Sequence, residues 1–140
     1  MKEAGRFVIQ LLPEYAPVTA AKFSMLVESG YYDDLTFHRV EPNFVLQGGS
    51  PGANEFVGIK NYMRDEVSLL THARGTIGIS TRGRDTGDGQ IFINLVDNYR
   101  LDHNYTVFAR VIENMDNVDR ILEGDVILSI KVIRPNQRSQ

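Results

Sequence analysis

Residues 37–49 of this 140-residue chain read FHRVEPNFVLQGG, which sets an arginine and a glutamine beside phenylalanine on two short strands joined by a tight turn. By the two-residue strand period, Phe37 and Arg39 share one face and His38 and Val40 the other. On the return run Val45 and Gln47 point one way and Phe44 and Leu46 the other, until Gly48 and Gly49 end the pattern. Pro42 and Asn43 supply the turn. A soluble strand pair rarely gathers a cation, an amide and large apolar groups on one outer surface unless that surface binds something. The run GQIFINL repeats the mixture: Ile91, Ile93 and Leu95 form one face, and Gln90, Phe92 and Asn94 the other. Taken singly, each residue has a plainer reading, Phe92 as a satellite of the core and Arg39 as a solvated partner of a carboxylate. Their combination is what points to a site.

Other chemistries find less support. His38, His72 and His103 lack the i, i+4 spacing of a helical zinc site, and the inward face expected for His38 makes it a hydrogen-bonded core histidine. No serine lies in a G-x-S-x-G elbow. The loop RGRDTGDGQ at 82–90 has the Gly and Asp content of a calcium or phosphate loop. It lacks the spaced oxygen ligands of an EF-hand and any GK[ST] run, and reads as structural.

The elements that must position these residues follow from the pattern. Residues 6–12 form an apolar first strand stopped by Pro13. Ala20, Phe23, Leu26 and Val27 recur at helical spacing within 17–29, with Pro17 in the first turn and Gly30 as the stop. Strands are expected at 36–40, 44–47, 76–80, 91–95, 107–112 and 126–133, and a Gly-, Pro- and Asn-rich surface loop at 50–62. A second helix at 115–122 would take Asn114 as its N-cap, bury Val118, Ile121 and Leu122, and end at Gly124. Many strands and two helices predict a closed or nearly closed antiparallel barrel capped by the helices. Residues 1–134 make one domain and 135–140 a frayed tail.

Composition narrows the partners. A net charge of -3 and 24% charged residues provide no basic field for nucleic acid. No run approaches the ~20 apolar residues of a membrane helix, so no membrane partner is expected. The absence of cysteine removes disulfides, thiolate zinc sites and a cysteine nucleophile while leaving the compartment open.

FHRVEPNFVLQGG, GQIFINL and LDHNYTVFARVIENMDNVDRI together resemble the cyclophilins, peptidyl-prolyl cis/trans isomerases, over nearly the whole chain. The resemblance implies a mainly β fold, an eight-stranded antiparallel barrel closed by two α-helices, with a proline-binding groove on its outer wall. It implies that Arg39 is the catalytic arginine, that Phe44, Val45, Phe92 and Leu101 wall the proline pocket, and that Gln47 and Gln90 are polar groove residues. Ser80 and Thr81 fall where the family's backbone pairs with substrate. Tyr105 stands where a histidine is usual, as in bacterial members, and Val45 replaces a methionine. The chain has no Trp, and Arg100 occupies the usual tryptophan position, so weak cyclosporin binding is expected. The start at GRF leaves little or nothing of the family's first strand.

The implied partners are proline-containing peptides and unfolded polypeptides, bound by a monomer, with no metal or cofactor required. The alternative is a non-catalytic proline-peptide-binding or scaffold module that keeps the groove. Retention of Arg39, Phe44, Gln47 and Phe92 favours the isomerase, because a scaffold has no need of a donor aimed into a proline pocket.

Overall fold

Proline at position 13 halts the first apolar run because it has no N–H to give a ladder, and in the computed structural model that run is strand β1, Val8–Leu11. The structure describes residues 5–50, 70–80, 89–102 and 105–133. Thr81 and the predicted tail 135–140 lie outside them, as do His103, most of the 50–62 loop and 82–88 of the RGRDTGDGQ loop.

Helix α1, Pro17–Glu28, begins with proline at its first position and buries Ala20, Phe23 and Val27 along one stripe. It ends in a Schellman motif. Gly30 has φ +80, its N–H donates to the Val27 carbonyl, and the Tyr31 N–H donates to that of Leu26. The stripe packs on the strand Val107–Glu113, where the Phe23 and Phe108 rings meet at 5.0 Å. Burying a side chain of this size contributes about 1.5–3 kcal/mol.

Among the described residues six strands form one antiparallel sheet. They are β1, β2 (Arg39–Glu41), β3 (Val45–Gly48), β4 (Thr76–Ile79), β5 (Ile91–Asn94) and β6 (Val107–Glu113), in the order β1-β6-β4-β5-β3-β2. Val40, Leu46, Ile93, Ile77 and Ala109 are in register across the sheet and line the inner face, all five belonging to the core or packed against it. The next row, Arg39, Gln47, Phe92 and Gly78, is in register on the opposite face. Period-two alternation thus separates a sealed core from a mixed polar and aromatic outer row.

Several expectations are corrected. Phe37 does not share the outer face with Arg39 but is 2% exposed in the core. Residues 37 and 38 lie between the Thr36–Val126 bridge and the start of β2, so strand alternation does not carry across them. His38 is half-buried, not a core residue. The strand expected at 126–133 reduces to that one bridge, although Ile127 enters the core and Ile130 and Val132 pack against it. Helix α2, Met115–Asp119, is shorter than expected, and Asn114 has φ +65 with no side-chain cap. After Asp119 the chain tightens to bonds between residues three apart, Arg120 to Asn117 and Ile121 to Val118. That tightening stacks Ile121 on Val118 and turns Leu122 out to solvent, 68% exposed. Among the described residues the antiparallel sheet has six strands with β1 and β2 at its two edges, and the eight strands and closure that the resemblance implies go beyond these.

Candidate active site

The outer row becomes a cleft because a turn and a loop rise over it. Between β2 and β3 the Phe44 N–H donates to the Glu41 carbonyl, with Asn43 at φ +61 after Pro42, the chemistry of a type II turn. Phe44 therefore leaves strand alternation and stands beside the row instead of opposite Val45. On the far side a short 3-10 turn, Tyr99–Leu101, brings Leu101 over, and Tyr105 follows it. The resulting cleft of about 190 Å³ is lined by Arg39, Phe44, Val45, Gln47, Ser80, Phe92, Leu101 and Tyr105. That is below the roughly 300–1,000 Å³ of sites for drug-sized ligands and suits one ring or side chain.

Its polar side is a chain of hydrogen bonds. Arg39 Nη1 donates to Gln47 Oε1 at 3.1 Å, and Gln47 Nε2 donates in turn to Ser80 Oγ. Arg39 Nε reaches Glu41 Oε1 at 3.4 Å. A guanidinium has five N–H donors, and among the described residues Nη2 has no protein partner. Gln47 is buried, which fixes its amide, whereas the Arg39 side chain is 40% exposed at the cleft edge.

The apolar side is set by close backbone approach. A Cβ at Gly78 would lie 2.6 Å from Phe92 Cζ and 2.6 Å from the Thr106 carbonyl oxygen. Only glycine lets Phe92 lie across β4. Tyr105 meets Phe92 edge-on at 5.9 Å. Asn98 donates to the Phe44 carbonyl at 3.0 Å and to Asn94 Oδ1 at 2.8 Å, tying the Phe44 turn to β5. Gln90, expected in the groove, is instead buried and outside the lining, although its carbonyl accepts from the Ser80 N–H.

Behind the cleft stands a pair that sequence reasoning passed over. His72 is fully buried, with Nδ1 3.0 Å from Asp102 Oδ1, and its backbone N–H donates to the same oxygen at 2.7 Å. Burial holds its pKa below the ordinary 6.5, and Asp102 opposes that effect only in part. No spacing signal joins residues thirty positions apart.

This arrangement couples a directional cationic donor to an apolar slot for a small ring. The cyclophilin type peptidyl-prolyl cis-trans isomerase/CLD family model matches residues 1–136. The chain belongs to the cyclophilin family. Peptidyl-prolyl cis-trans isomerase B of Bacillus subtilis is 34% identical over 134 residues, 94% of each chain. A peptidyl-prolyl cis-trans isomerase of Helicobacter pylori is 36% identical over 130 residues, 90% of this cyclophilin and 80% of the relative. In fold the cyclophilin resembles a cyclophilin type isomerase of Cryptosporidium parvum crystallised in the presence of the dipeptide Ala-Pro. That likeness has a TM-score of 0.80 at 26% identity and covers 84% of this chain and 79% of the other.

Proposed function

We infer that this cyclophilin is a peptidyl-prolyl cis-trans isomerase that accelerates rotation about X-Pro bonds in polypeptides, with Arg39 as its catalytic residue. The observation that carries the reading is Arg39 held by Gln47, itself held by Ser80, at the rim of a slot walled by Phe44, Val45, Phe92 and Leu101.

The X-Pro amide prefers trans by only about 0.5–1 kcal/mol, yet resonance raises a rotation barrier of roughly 18–20 kcal/mol. The obstacle is kinetic. As the bond twists, conjugation is lost and the prolyl nitrogen becomes pyramidal and basic. A guanidinium donating to that nitrogen stabilises the twisted state more than either planar one, which is differential binding of a transition state. The unpartnered Nη2 of Arg39 is the donor proposed for it, and Gln47 keeps the guanidinium plane fixed. Phe44, Val45, Phe92 and Leu101 would hold the pyrrolidine ring and exclude water, and Tyr105 would brace Phe92 from the side. The pieces are preorganised, so little rearrangement is needed when the bond twists.

The substrates proposed are proline-containing segments of flexible or unfolded polypeptides, bound by a monomer, with the backbone of Ser80 and Thr81 pairing with the peptide and Gln90 supporting Ser80 from behind. The family's eight-stranded closed barrel goes with this reading. The Thr36–Val126 bridge starts a pairing beside β2 from which closure would continue. A protease-free exchange measurement on a short X-Pro peptide tests the activity. Acceleration without added metal or nucleotide is expected, and an uncatalysed rate with properly folded protein would leave a peptide-binding scaffold.

A further inference from the structure

Arg100 stands over the Phe44 ring beside the cleft. Its guanidinium carbon sits 4.7 Å from the centroid of the Phe44 ring, and both Phe44 and the adjoining Leu101 line the cleft. The side chain is exposed, so one face of the guanidinium rests on a cleft wall while its N–H edges stay in water.

No carboxylate pairs with it among the described residues, where the ion pairs are Arg39–Glu41, His72–Asp102 and Arg74–Asp119. Its neighbours in sequence are already engaged. Asp97 accepts from the Arg74 N–H and from the Tyr99 hydroxyl, and Asp102 is taken by His72. Arg39, the other cation at the cleft, is tethered to Gln47 and Glu41. The ring contact thus fixes where the Arg100 charge sits without satisfying it, and a planar guanidinium so placed is suited to accept a carboxylate in a forked pair.

We propose that this cyclophilin prefers proline segments carrying a carboxylate side chain within two residues of the proline, with Arg100 pairing to that carboxylate as the segment passes Phe44. The inference rests on the isomerase reading of the cleft and adds a substrate class to it. Arg100 lies away from the twisting bond, so the pair forms equally in ground and transition states and acts through KM rather than kcat. An exposed ion pair of this kind changes kcat/KM by about two- to fivefold, and the change shrinks in concentrated salt, where the screening length falls to about 3 Å.

The test is a protease-free isomerisation assay on matched peptides with Glu, Gln or Lys at each of the two positions on either side of proline, using the wild type, Arg100→Gln and Arg100→Glu. At one or more positions the wild type should favour Glu over Gln by about two- to fivefold through KM. Arg100→Gln should bring that ratio to about one, and Arg100→Glu should shift the preference to Lys. Equal rates for Glu, Gln and Lys peptides in the wild type, or a Glu preference that survives Arg100→Gln, would overturn the inference while leaving the isomerase reading intact. No acceleration of any peptide would overturn both.

Discussion

The imidazole of His72 lies flat against Phe92, with ring centroids 5.8 Å apart and planes 6° from parallel. Tyr105 meets the same imidazole nearly at right angles at 6.4 Å. Two cleft walls therefore lean on one buried histidine, whose Nε2 has no hydrogen-bond partner among the described residues. A proton there would place a charge where no solvent reaches it, which is why burial lowers its pKa.

The sign of the resulting pH dependence follows. With the folded pKa below the ordinary 6.5, the unfolded chain binds more protons once the pH drops below about 6.5, so stability falls with pH from there towards the folded pKa. Above 6.5 this contribution is fully present. Urea midpoints should fall between pH 7.5 and pH 5, and His72→Gln, which keeps a donor for Asp102 but cannot titrate, should fall less. An equal decline in both proteins would remove His72 from this role.

Gln47 joins Arg39 to Ser80, so its loss should misplace the guanidinium without unfolding the sheet. Gln47→Ala is expected to lower kcat roughly 10- to 100-fold, the scale of a small misplacement of a reacting group. Gln47→Glu should retain more activity because a carboxylate still accepts from Arg39. Steady-state kinetics on one X-Pro peptide would show whether the loss falls in kcat, as expected, or in KM alone.

Gly78→Ala is expected to destabilise by about 1–3 kcal/mol, the usual cost of overpacking, because its Cβ would overlap both Phe92 and the Thr106 carbonyl. The backbone atom cannot yield, so Phe92 must move. Denaturant unfolding together with KM for an X-Pro peptide checks this, and a variant unchanged in both would show that the row has slack.

Cyclosporin should bind weakly, since Arg100 offers a charge where an indole would offer a broad apolar face and a single donor. Arg100→Trp should tighten binding. Titration of both proteins with the drug decides it, and tight binding by the unmodified chain would mean that the loop contributes something other than its residue 100.

Local patterning made the scaffold legible where neighbours in sequence are neighbours in space. Pro17 and Gly30 bracket α1, and alternation in 91–95 places Phe92 opposite Ile91 and Ile93. Arg39 and Gln47 were legible from alternation on paired strands and Phe92 from alternation in β5, whereas alternation put Phe44 on the face of Leu46 and only the resemblance placed it at the pocket that it lines. Phe37 was misplaced because alternation was extended through residues that are not strand. The His72–Asp102 pair and the Asn98 bond to Phe44 were invisible because each joins segments that only the tertiary fold brings together.

The central claim is that the Arg39 guanidinium stabilises the twisted prolyl amide. Its most direct test is kcat/KM for a short X-Pro peptide in the wild type, Arg39→Ala and Arg39→Lys, with circular dichroism confirming that each is folded. Removing one donor to a transition state costs on the order of 3 kcal/mol, so Arg39→Ala should lose roughly a hundredfold or more. Arg39→Lys should recover only part, because the charge returns without the planar donors. A folded Arg39→Ala protein that keeps most of its activity would contradict the account.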